Sequence, residues 1–302
     1  MAFSFTRQPS RLFRTKNLAC GLGLFLALAS VSAAEPNKVP AGTLCVATYN
    51  LRFGTSVPPN AWPQRRPMMR ELLQKISPDI LGTQEGHYAQ LNDLAAGLPG
   101  YGWIGAGCED GKLKGRYVAV FYRRARLEPL STNSFWLSDT PDVPGSTTWG
   151  NQYPLMATTV KFRDVQTKRE FYVMNTRFNP ELQGAQEKSA ALVRQRVEAL
   201  NTTLPLLLLG DFGIGAEQNK VYHQMVDDNF FKDTWTLAKE RRGEGLGTLN
   251  EFKAMPTDEP RVDWILARGK VSVDSAAIDT FTSGGHFPSD HCPVVAWLRF
   301  GE

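Results

Sequence analysis

The chain has 302 residues, of which 42% are hydrophobic, 11% aromatic and 21% charged. These fractions are typical of a soluble globular protein and exclude a disordered, collagen-like or polytopic membrane chain. The formal net charge of +4 comes from four basic residues before residue 35, since without them the 34 basic residues become 30, equal to the 30 acidic ones. The body of the chain therefore lacks the basic excess of a dedicated nucleic-acid-binding protein, although a local basic groove is compatible with it.

The first 34 residues have the pattern of a secretory signal peptide. A basic stretch at residues 11–16 precedes an apolar run at 18–31, and the small residues VSAA follow at 31–34. The run is shorter than the roughly 20 residues that span a bilayer, so a membrane-spanning helix is the weaker interpretation. We predict a signal peptide at 1–34, a single catalytic domain at 35–302, and a secreted or periplasmic monomer without a membrane span.

Three cysteines remain after residue 34, namely Cys45, Cys108 and Cys292. An odd number without CxxC spacing favours neither a disulfide scaffold nor a zinc site. Buried free thiols are the favoured interpretation. A Cys45–Cys292 disulfide is the alternative if the first and last strands are neighbours.

Apolar patterning predicts mostly strands, with a few helices between them. In chain order, the predicted elements are strand 44–51, helix 67–76, strand 79–83, helix 88–98, strands 117–123, 134–137, 155–162 and 170–178, helix 183–200, and strands 204–209, 262–266, 271–273 and 294–298. The uninterrupted apolar run at 204–209 suits a strand that is buried on both faces. The pattern predicts an α/β sandwich in which helices cover packed sheets, with no linker that would divide it.

Several predicted strands are bounded by acidic, amide or imidazole side chains. These residues are Asn50, Glu85, Asp211, Asp263, Asp290 and His291. Each alone could be a turn residue or a helix cap, but a carboxylate directly after an apolar run is desolvated unless it is paired or binds a metal. Oxygen ligands suit Mg²⁺, Mn²⁺ or Ca²⁺ better than zinc. HExxH, GxSxG and GxxxxGK[ST] are absent, which argues against zinc-protease, serine-hydrolase and P-loop chemistry.

Six motifs occur in a recognisable order. They are YNLRFGT, PDILGTQE, NTRF, LLLGDF, RVDWIL and PSDHCPV. This order resembles the endonuclease/exonuclease/phosphatase superfamily, and most closely its secreted bacterial members, over roughly residues 44–298. The resemblance implies a four-layered α/β/β/α sandwich that hydrolyses a phosphodiester or phosphomonoester with metal-assisted attack by water.

The resemblance also implies metal and catalytic roles for individual residues. Glu85 would be the principal ligand of Mg²⁺ (or Mn²⁺ or Ca²⁺), with Asn50 and Asp290 close to the metal or its waters. Asp211 would orient or deprotonate the attacking water. His291 would act as general base or phosphate contact, and the carboxylate of Asp263 would fix its tautomer.

Substrate contacts are expected from a second group of residues. Asn50, Asn175 and Arg177 would bind substrate, and Tyr117 in RYVAVFY matches a family tyrosine (often GEYAPIFY) that can contact the phosphate. Arg52 and Arg116 are further candidates for lining a substrate groove. We expect a small phosphoester or a lipid headgroup as substrate, and nucleic acid is not excluded.

Four positions depart from the family pattern. Arg177 and Asn179 replace the histidine and the acidic residue of NTHxD, Gly213 replaces the asparagine of GDFN, and Asn250 stands where relatives commonly have histidine. Losing one transition-state donor lowers the rate by roughly 10²–10³. Two hypotheses follow: an active phosphoesterase rebuilt around Arg177, or a catalytically lapsed protein that binds a phosphorylated ligand or a partner without turnover.

Overall fold

The computed structural model describes residues 42–301, so the predicted signal peptide lies outside the described residues. Its helices are α1 (Trp62–Ile76), α2 (Tyr88–Gly97), α3 (Gln183–Ala199), α4 (Lys220–Val226) and α5 (Thr234–Leu237). Its strands are β1 (Leu44–Asn50), β2 (Ile80–Gln84), β3 (Tyr101–Ile104), β4 (Ala119–Arg123), β5 (Leu127–Trp136), β6 (Met156–Asp164), β7 (Glu170–Arg177), β8 (Leu206–Asp211), β9 (Lys232–Asp233), β10 (Glu240–Arg242), β11 (Asp263–Arg268), β12 (Val271–Ile278) and β13 (Val294–Phe300).

These strands form two mixed sheets. The first has seven strands in the order β10-β12-β13-β1-β2-β4-β3, and the second has six in the order β5-β6-β7-β8-β11-β9. The centre of each sheet contains a parallel pair, β1 with β2 and β7 with β8. Their neighbours β13 and β11 run antiparallel to β1 and β8. The carboxyl ends of the parallel strands and the amino ends of these neighbours therefore meet at one edge of each sheet.

The two sheets pack face to face around one apolar layer. Val46 and Ile80 of the first sheet belong to the same buried cluster as Val173, Leu207 and Leu209 of the second. Alternate residues of each strand point to opposite faces, so this layer uses only half of each strand. The uninterrupted apolar run of β8 therefore supplies side chains to the outer face as well.

Helices cover both outer faces. Ala47 of β1 belongs to the same buried cluster as Leu72 of α1, and Leu208 of β8 belongs to the same buried cluster as Val193 of α3. The layers therefore run helix, sheet, sheet, helix, which confirms the predicted α/β/β/α sandwich. Within residues 42–301, no helix is both long and apolar enough to cross a membrane.

Most element boundaries differ from the prediction by a few residues. Helix α1 begins at Trp62 rather than at Pro67, because Pro63 occupies the first turn, where no backbone N–H is needed, and Pro67 is accommodated within the helix. The short strands β3, β9 and β10 and the helices α4 and α5 were not predicted, since they have too few residues to show a period.

The three described cysteines are free and buried, which confirms the favoured interpretation. Strands β1 and β13 are neighbours, as the disulfide alternative required. However, Cys45 pairs with Trp297, whereas Cys292 precedes the opposite end of β13. Five residues of extended chain span about 16 Å, far beyond the reach of a disulfide.

Candidate active site

The register of the central strands brings together the polar residues at the strand ends. Asn50 closes β1 and pairs with Gln84, the residue before Glu85. Asp263 opens β11 directly opposite Asp211 at the end of β8. Asp290 and His291 precede β13, whose first residue pairs with β1.

These strand ends surround one cavity of about 430 Å³. Residues from both sheets line it together with two loops; they are Arg52, Glu85, Arg177, Pro180, Asp211, Gly213, Leu249, Glu251, Phe252, Lys253, Val262, Asp290 and His291. Its volume lies in the range of small-molecule sites, roughly 300–1,000 Å³. The same cavity is therefore lined by Arg177 and by four of the predicted site residues at strand ends, namely Glu85, Asp211, Asp290 and His291.

Glu85 is a buried carboxylate in a left-handed backbone conformation, with φ at 61°. Its Oε2 accepts a hydrogen bond from the backbone N–H of Phe53 at 3.3 Å. Its Oε1 lies 2.6 Å from Nη2 of Arg177 and 3.8 Å from Nη1 of Arg116. Burial alone would raise the pKa of Glu85, but these positive charges outweigh it and lower the pKa below its ordinary value. Glu85 is therefore held as a carboxylate.

Asp290 lines the same cavity, but burial and neighbouring charges affect its pKa differently from that of Glu85. Its Oδ2 lies 3.2 Å from Nη1 of Arg52. Burial raises the pKa of Asp290 and outweighs the opposing charges of His291 and Arg52.

Asp263 and His291 form a buried hydrogen-bonded pair. Oδ2 of Asp263 lies 2.9 Å from Nδ1 of His291. Burial would lower the pKa of His291, but the nearby carboxylates of Asp263 and Asp211 outweigh it and raise the pKa. Among residues 42–301, Nε2 of His291 has no hydrogen-bond partner. The pair therefore fixes the ring and leaves one nitrogen for a ligand in the cavity.

Asp211 is oriented by three donors. Its Oδ2 accepts hydrogen bonds from Nδ2 of Asn50 at 2.8 Å and from Nε of Arg177 at 3.2 Å. Its Oδ1 accepts one from the backbone N–H of Gly213 at 2.9 Å. Asn50 is itself fixed, since its Oδ1 accepts the N–H of Arg52 at 2.8 Å. Asn50 is therefore a positioning residue for Asp211 in this arrangement.

Arg177 has a partner for each of its guanidinium nitrogens. Besides its contacts with Glu85 and Asp211, its Nη1 donates to the hydroxyl of Tyr153 at 2.5 Å. Burial would lower the pKa of Arg177, but the two carboxylates outweigh it and raise the pKa. Arg177 is therefore an internal counter-ion, with each of its three guanidinium nitrogens already in contact with a protein oxygen.

Besides Asn50, two more predicted substrate contacts, Tyr117 and Asn175, do not line the cavity. The hydroxyl of Tyr117 donates to the carbonyl of Lys112 at 2.9 Å, and burial raises the pKa of Tyr117 to about 12. Asn175 lies between the sheets, where its Nδ2 donates to the carbonyls of Thr83 and Ala119 at 2.9 Å each. These positions give both residues structural contacts and do not support the direct substrate contact expected for them.

The departures from the family pattern also have local structural roles. Oδ1 of Asn179 accepts the N–H groups of two residues that precede α3. Nδ2 of Asn250 donates to the carbonyl of Ser289 at 3.1 Å, which ties its loop to the segment that carries Asp290. A Cβ on Gly213 would lie 2.5 Å from Cα of Pro180. An asparagine therefore cannot replace Gly213 without moving the backbone at Pro180.

Arg65 of α1 connects the loops around the cavity, although the sequence offered no sign of this role. Its side chain is fully buried. It donates to the backbone carbonyls of Leu51, Arg52, Phe53, Asn60 and Pro288. One guanidinium group thus joins the loop after β1 to the loop before Asp290.

Two groups of residues could hold a divalent cation. Ligand atoms of Asp211, Asp263 and His291 lie within 4.8 Å of one another. The sequence instead predicted Glu85, Asp290 and Asn50 as ligands. We favour the predicted acidic pair, because Oδ2 of Asp263 and Nδ1 of His291 are already hydrogen-bonded to each other. The carboxylates of Glu85 and Asp290 face the same cavity, and such oxygen donors fit a hard cation.

The chain is similar in sequence and in structure to proteins of one family. The sequence profile described as "Endonuclease/Exonuclease/phosphatase family" matches residues 47–291. A mannosyl-6-phosphatase of Bacteroides thetaiotaomicron is 34% identical, with 85% of this chain and 100% of that chain covered and a TM-score of 0.81. Another family protein of the same organism is 33% identical over 86% of this chain and 98% of that chain, also with a TM-score of 0.81.

A more distant relative is an uncharacterized protein of Acanthamoeba polyphaga mimivirus. It is 23% identical over 247 residues, which are 78% of this chain and 91% of that protein. The family profile spans all the strand ends that form the cavity, from the residue after Val46 to His291. The chain therefore belongs to the endonuclease/exonuclease/phosphatase family.

Proposed function

We propose that the chain is a divalent-metal-dependent phosphoesterase that acts on a small phosphoester, with a phosphomonoester favoured. The observation that carries the proposal is the convergence of Glu85, Asp211 and Asp290 on one cavity beside the Asp263–His291 pair. The cavity volume of about 430 Å³ supports a small substrate. The similarity to a mannosyl-6-phosphatase supports a sugar phosphate as the first class to test.

Glu85 and Asp290 would hold Mg²⁺, Mn²⁺ or Ca²⁺, with Asn50 adjacent to them. When bound there, such an ion would neutralise negative charge on the phosphoryl oxygens.

The protein's own groups would position water and phosphate. Asp211, held by donors on both of its oxygens, would orient the attacking water and accept its proton. His291 would present Nε2 to a phosphoryl oxygen, and its raised pKa favours this contact over the role of general base. In the reaction, a bond forms between the water oxygen and phosphorus, the P–O ester bond breaks, and the leaving alkoxide takes up a proton that balances the one given to Asp211.

A second function is favoured by one specific observation. Arg177 already contacts Glu85 and Asp211, and Arg52 already contacts Asp290. Because these cations compensate the carboxylates that a metal would bind, a lapsed enzyme that binds a phosphorylated ligand without turnover is the alternative.

A substrate panel separates the two functions. The purified chain would be tested with Mg²⁺, Mn²⁺ and Ca²⁺ on mannose 6-phosphate, p-nitrophenyl phosphate, bis-p-nitrophenyl phosphate, plasmid DNA and sphingomyelin. We expect metal-dependent release from a monoester by the wild type and its loss in Glu85→Gln. If the wild type and Glu85→Gln are equally inactive on every substrate yet bind inorganic phosphate, the binding function replaces the enzymatic one.

Export and oligomeric state belong to the same proposal. The pattern at residues 1–34 supports secretion or delivery to the periplasm, followed by cleavage after residue 34. N-terminal sequencing of exported protein would test the cleavage position. Size-exclusion chromatography with light scattering would test the expected monomer.

A further inference from the structure

Arg52, which lines the cavity, and Arg116, which lies beside it with Nη1 3.8 Å from Oε1 of Glu85, stack on the same aromatic ring. Cζ of Arg52 lies 4.4 Å and Cζ of Arg116 lies 4.6 Å from the ring centroid of Phe53. Arg116 also lies 4.4 Å from the ring centroid of Tyr153. Stacking holds a planar guanidinium group through its face and leaves the N–H groups at its edge free.

The hydrogen bonding of these arginines differs from that of Arg177. All the guanidinium nitrogens of Arg177 contact protein oxygens. Within the part of the chain that the structure describes, the side chains of Arg52 and Arg116 donate no hydrogen bond; each has one ion-pair contact, at 3.2 Å and 3.8 Å. Their side chains are 39% and 28% exposed, so their edges can be reached from solvent.

The backbone of both arginines is anchored. Arg52 has a left-handed φ of 53°, and its carbonyl accepts hydrogen bonds from Arg65 and from Gln90 at 3.1 Å and 3.0 Å. The carbonyl of Arg116 accepts the N–H of Cys108 at 2.9 Å. The guanidinium groups are therefore carried on fixed backbone and steadied by rings, which reduces the entropy lost when they bind a ligand.

We propose that Arg52 and Arg116 form a two-arginine clamp for the substrate's phosphoryl group, and that this clamp makes the site prefer a phosphomonoester. Guanidinium groups match phosphate oxygens in bidentate geometry. A monoester carries about −1.5 to −2 charge near neutral pH, whereas a diester carries one charge, so two guanidinium groups with accessible N–H edges favour the monoester. This inference rests on the proposed function for the identity of its substrate, and it assigns phosphate binding to Arg52 and Arg116 rather than to Arg177.

Calorimetry with inorganic phosphate tests the clamp without turnover. The full chain would be titrated in EDTA, so that no metal contributes, beside Arg52→Gln, Arg116→Gln and Arg124→Gln. Arg124 is an exposed arginine outside the cavity and serves as the matched control. We expect each of the first two variants to weaken phosphate binding by about tenfold or more, and Arg124→Gln to bind as the wild type does.

Kinetics with two substrates test the preference. We expect Arg116→Gln to raise KM for p-nitrophenyl phosphate by the factor by which it weakens phosphate binding, and to change KM for bis-p-nitrophenyl phosphate less. Arg116→Lys should recover part of the binding, since it restores the charge without the bidentate edge. It also provides the same test if the glutamine variant does not fold, as judged by its thermal midpoint.

The outcomes distinguish the clamp from the proposed function. Phosphate binding by both glutamine variants as tight as that of Arg124→Gln, or no phosphate binding by the wild type, would overturn the clamp even if the chain hydrolyses phosphoesters. Loss of phosphate binding in both variants, together with an inactive wild type, would keep the clamp and remove the hydrolysis.

Discussion

The guanidinium group of Arg177 joins Glu85 to Asp211, with Nη2 2.6 Å from Oε1 of Glu85 and Nε 3.2 Å from Oδ2 of Asp211. Arg177 and Asp211 are paired across β7 and β8, so the backbone register itself sets this contact. A permanent positive charge therefore lies between the predicted metal ligand and the predicted water-orienting carboxylate. The proposed function therefore implies that the affinity of the site for a divalent ion depends on this charge.

Replacing Arg177 with methionine should lower the stability of the protein without metal. It should also increase the stabilisation that added metal gives. The change removes the nearest cation from two buried carboxylates, and breaking a buried ion pair in this way typically lowers the free energy of unfolding by about 3–5 kcal/mol. A divalent ion that binds there should restore the loss as its concentration rises. Thermal unfolding in EDTA and in a Mg²⁺ or Mn²⁺ series measures both effects.

The control for this variant is Arg163→Met. The side chain of Arg163 is 41% exposed and forms surface ion pairs with Glu128 and Glu170, so its loss should change stability by less than about 1 kcal/mol. Equal responses of the two variants to Mg²⁺ would contradict the role assigned to Arg177.

Asp263→Asn should lower kcat strongly while the protein remains folded. The amide can no longer stabilise the protonated ring of His291 or fix its tautomer through the 2.9 Å contact with Nδ1. By analogy with other carboxylate–histidine pairs, we expect kcat to fall by at least about 100-fold. Steady-state kinetics give the rate, and NMR titration of the ring should give a lower pKa for His291 than in the wild type. An unchanged pKa would argue against the pair.

Restoring the family asparagine with Gly213→Asn should destabilise the protein. The backbone φ of 64° tolerates asparagine, but the new Cβ would lie 2.5 Å from Cα of Pro180. We expect a loss of about 2 kcal/mol or more, measured by chemical denaturation.

Gly284→Asn is the matched control for that change. Gly284 also has a left-handed φ, of 58°, yet a Cβ there meets no atom within 4 Å. If both asparagine variants are equally stable, the close approach of Pro180 is not what excludes a side chain at Gly213.

The buried thiols should be unreactive in the folded protein. Burial raises the pKa of both Cys45 and Cys292 to about 12, and it also raises the pKa of Cys108. In a Cys20→Ser background at about pH 8, we expect slow reaction with a thiol reagent in buffer and reaction of all three thiols in denaturant. Because unfolded thiols ionise near pH 9 and folded ones do not, their contribution to stability should fall as the pH rises above about 9. Rapid labelling of Cys292 in buffer would contradict its burial.

The strand-end residues could be predicted because their signal is local. A carboxylate after an apolar run, as at Asp211, marks a buried strand that reaches an edge, and parallel neighbours bring such edges together. The order of the six motifs then predicted the four layers. The strand-end prediction needs only the local sequence pattern, whereas the four layers were expected from the family resemblance that the motifs carry.

The depth at which a side chain lies and the groups that it contacts could not be predicted in the same way. Asn175 and Arg177 are two residues apart on one face of β7, yet Asn175 lies among the backbone carbonyls between the sheets while Arg177 reaches the cavity. A step of about 7 Å along a strand separates these environments, and a motif does not record it. Likewise, the ring of Tyr153 beside Arg116 comes from a loop without a period, so nothing in the sequence indicated that contact.

Arg65 has a consequence for how substitutions far from the substrate act. Its guanidinium group ties carbonyls that are more than 200 positions apart along the chain, at Leu51 and Pro288. A repacking of α1 would therefore shift the supports of Arg52 and Asp290 together rather than one at a time. Substitutions within this helix can thus change the positions of residues on both sides of the cavity at once, while the residues that line it stay the same.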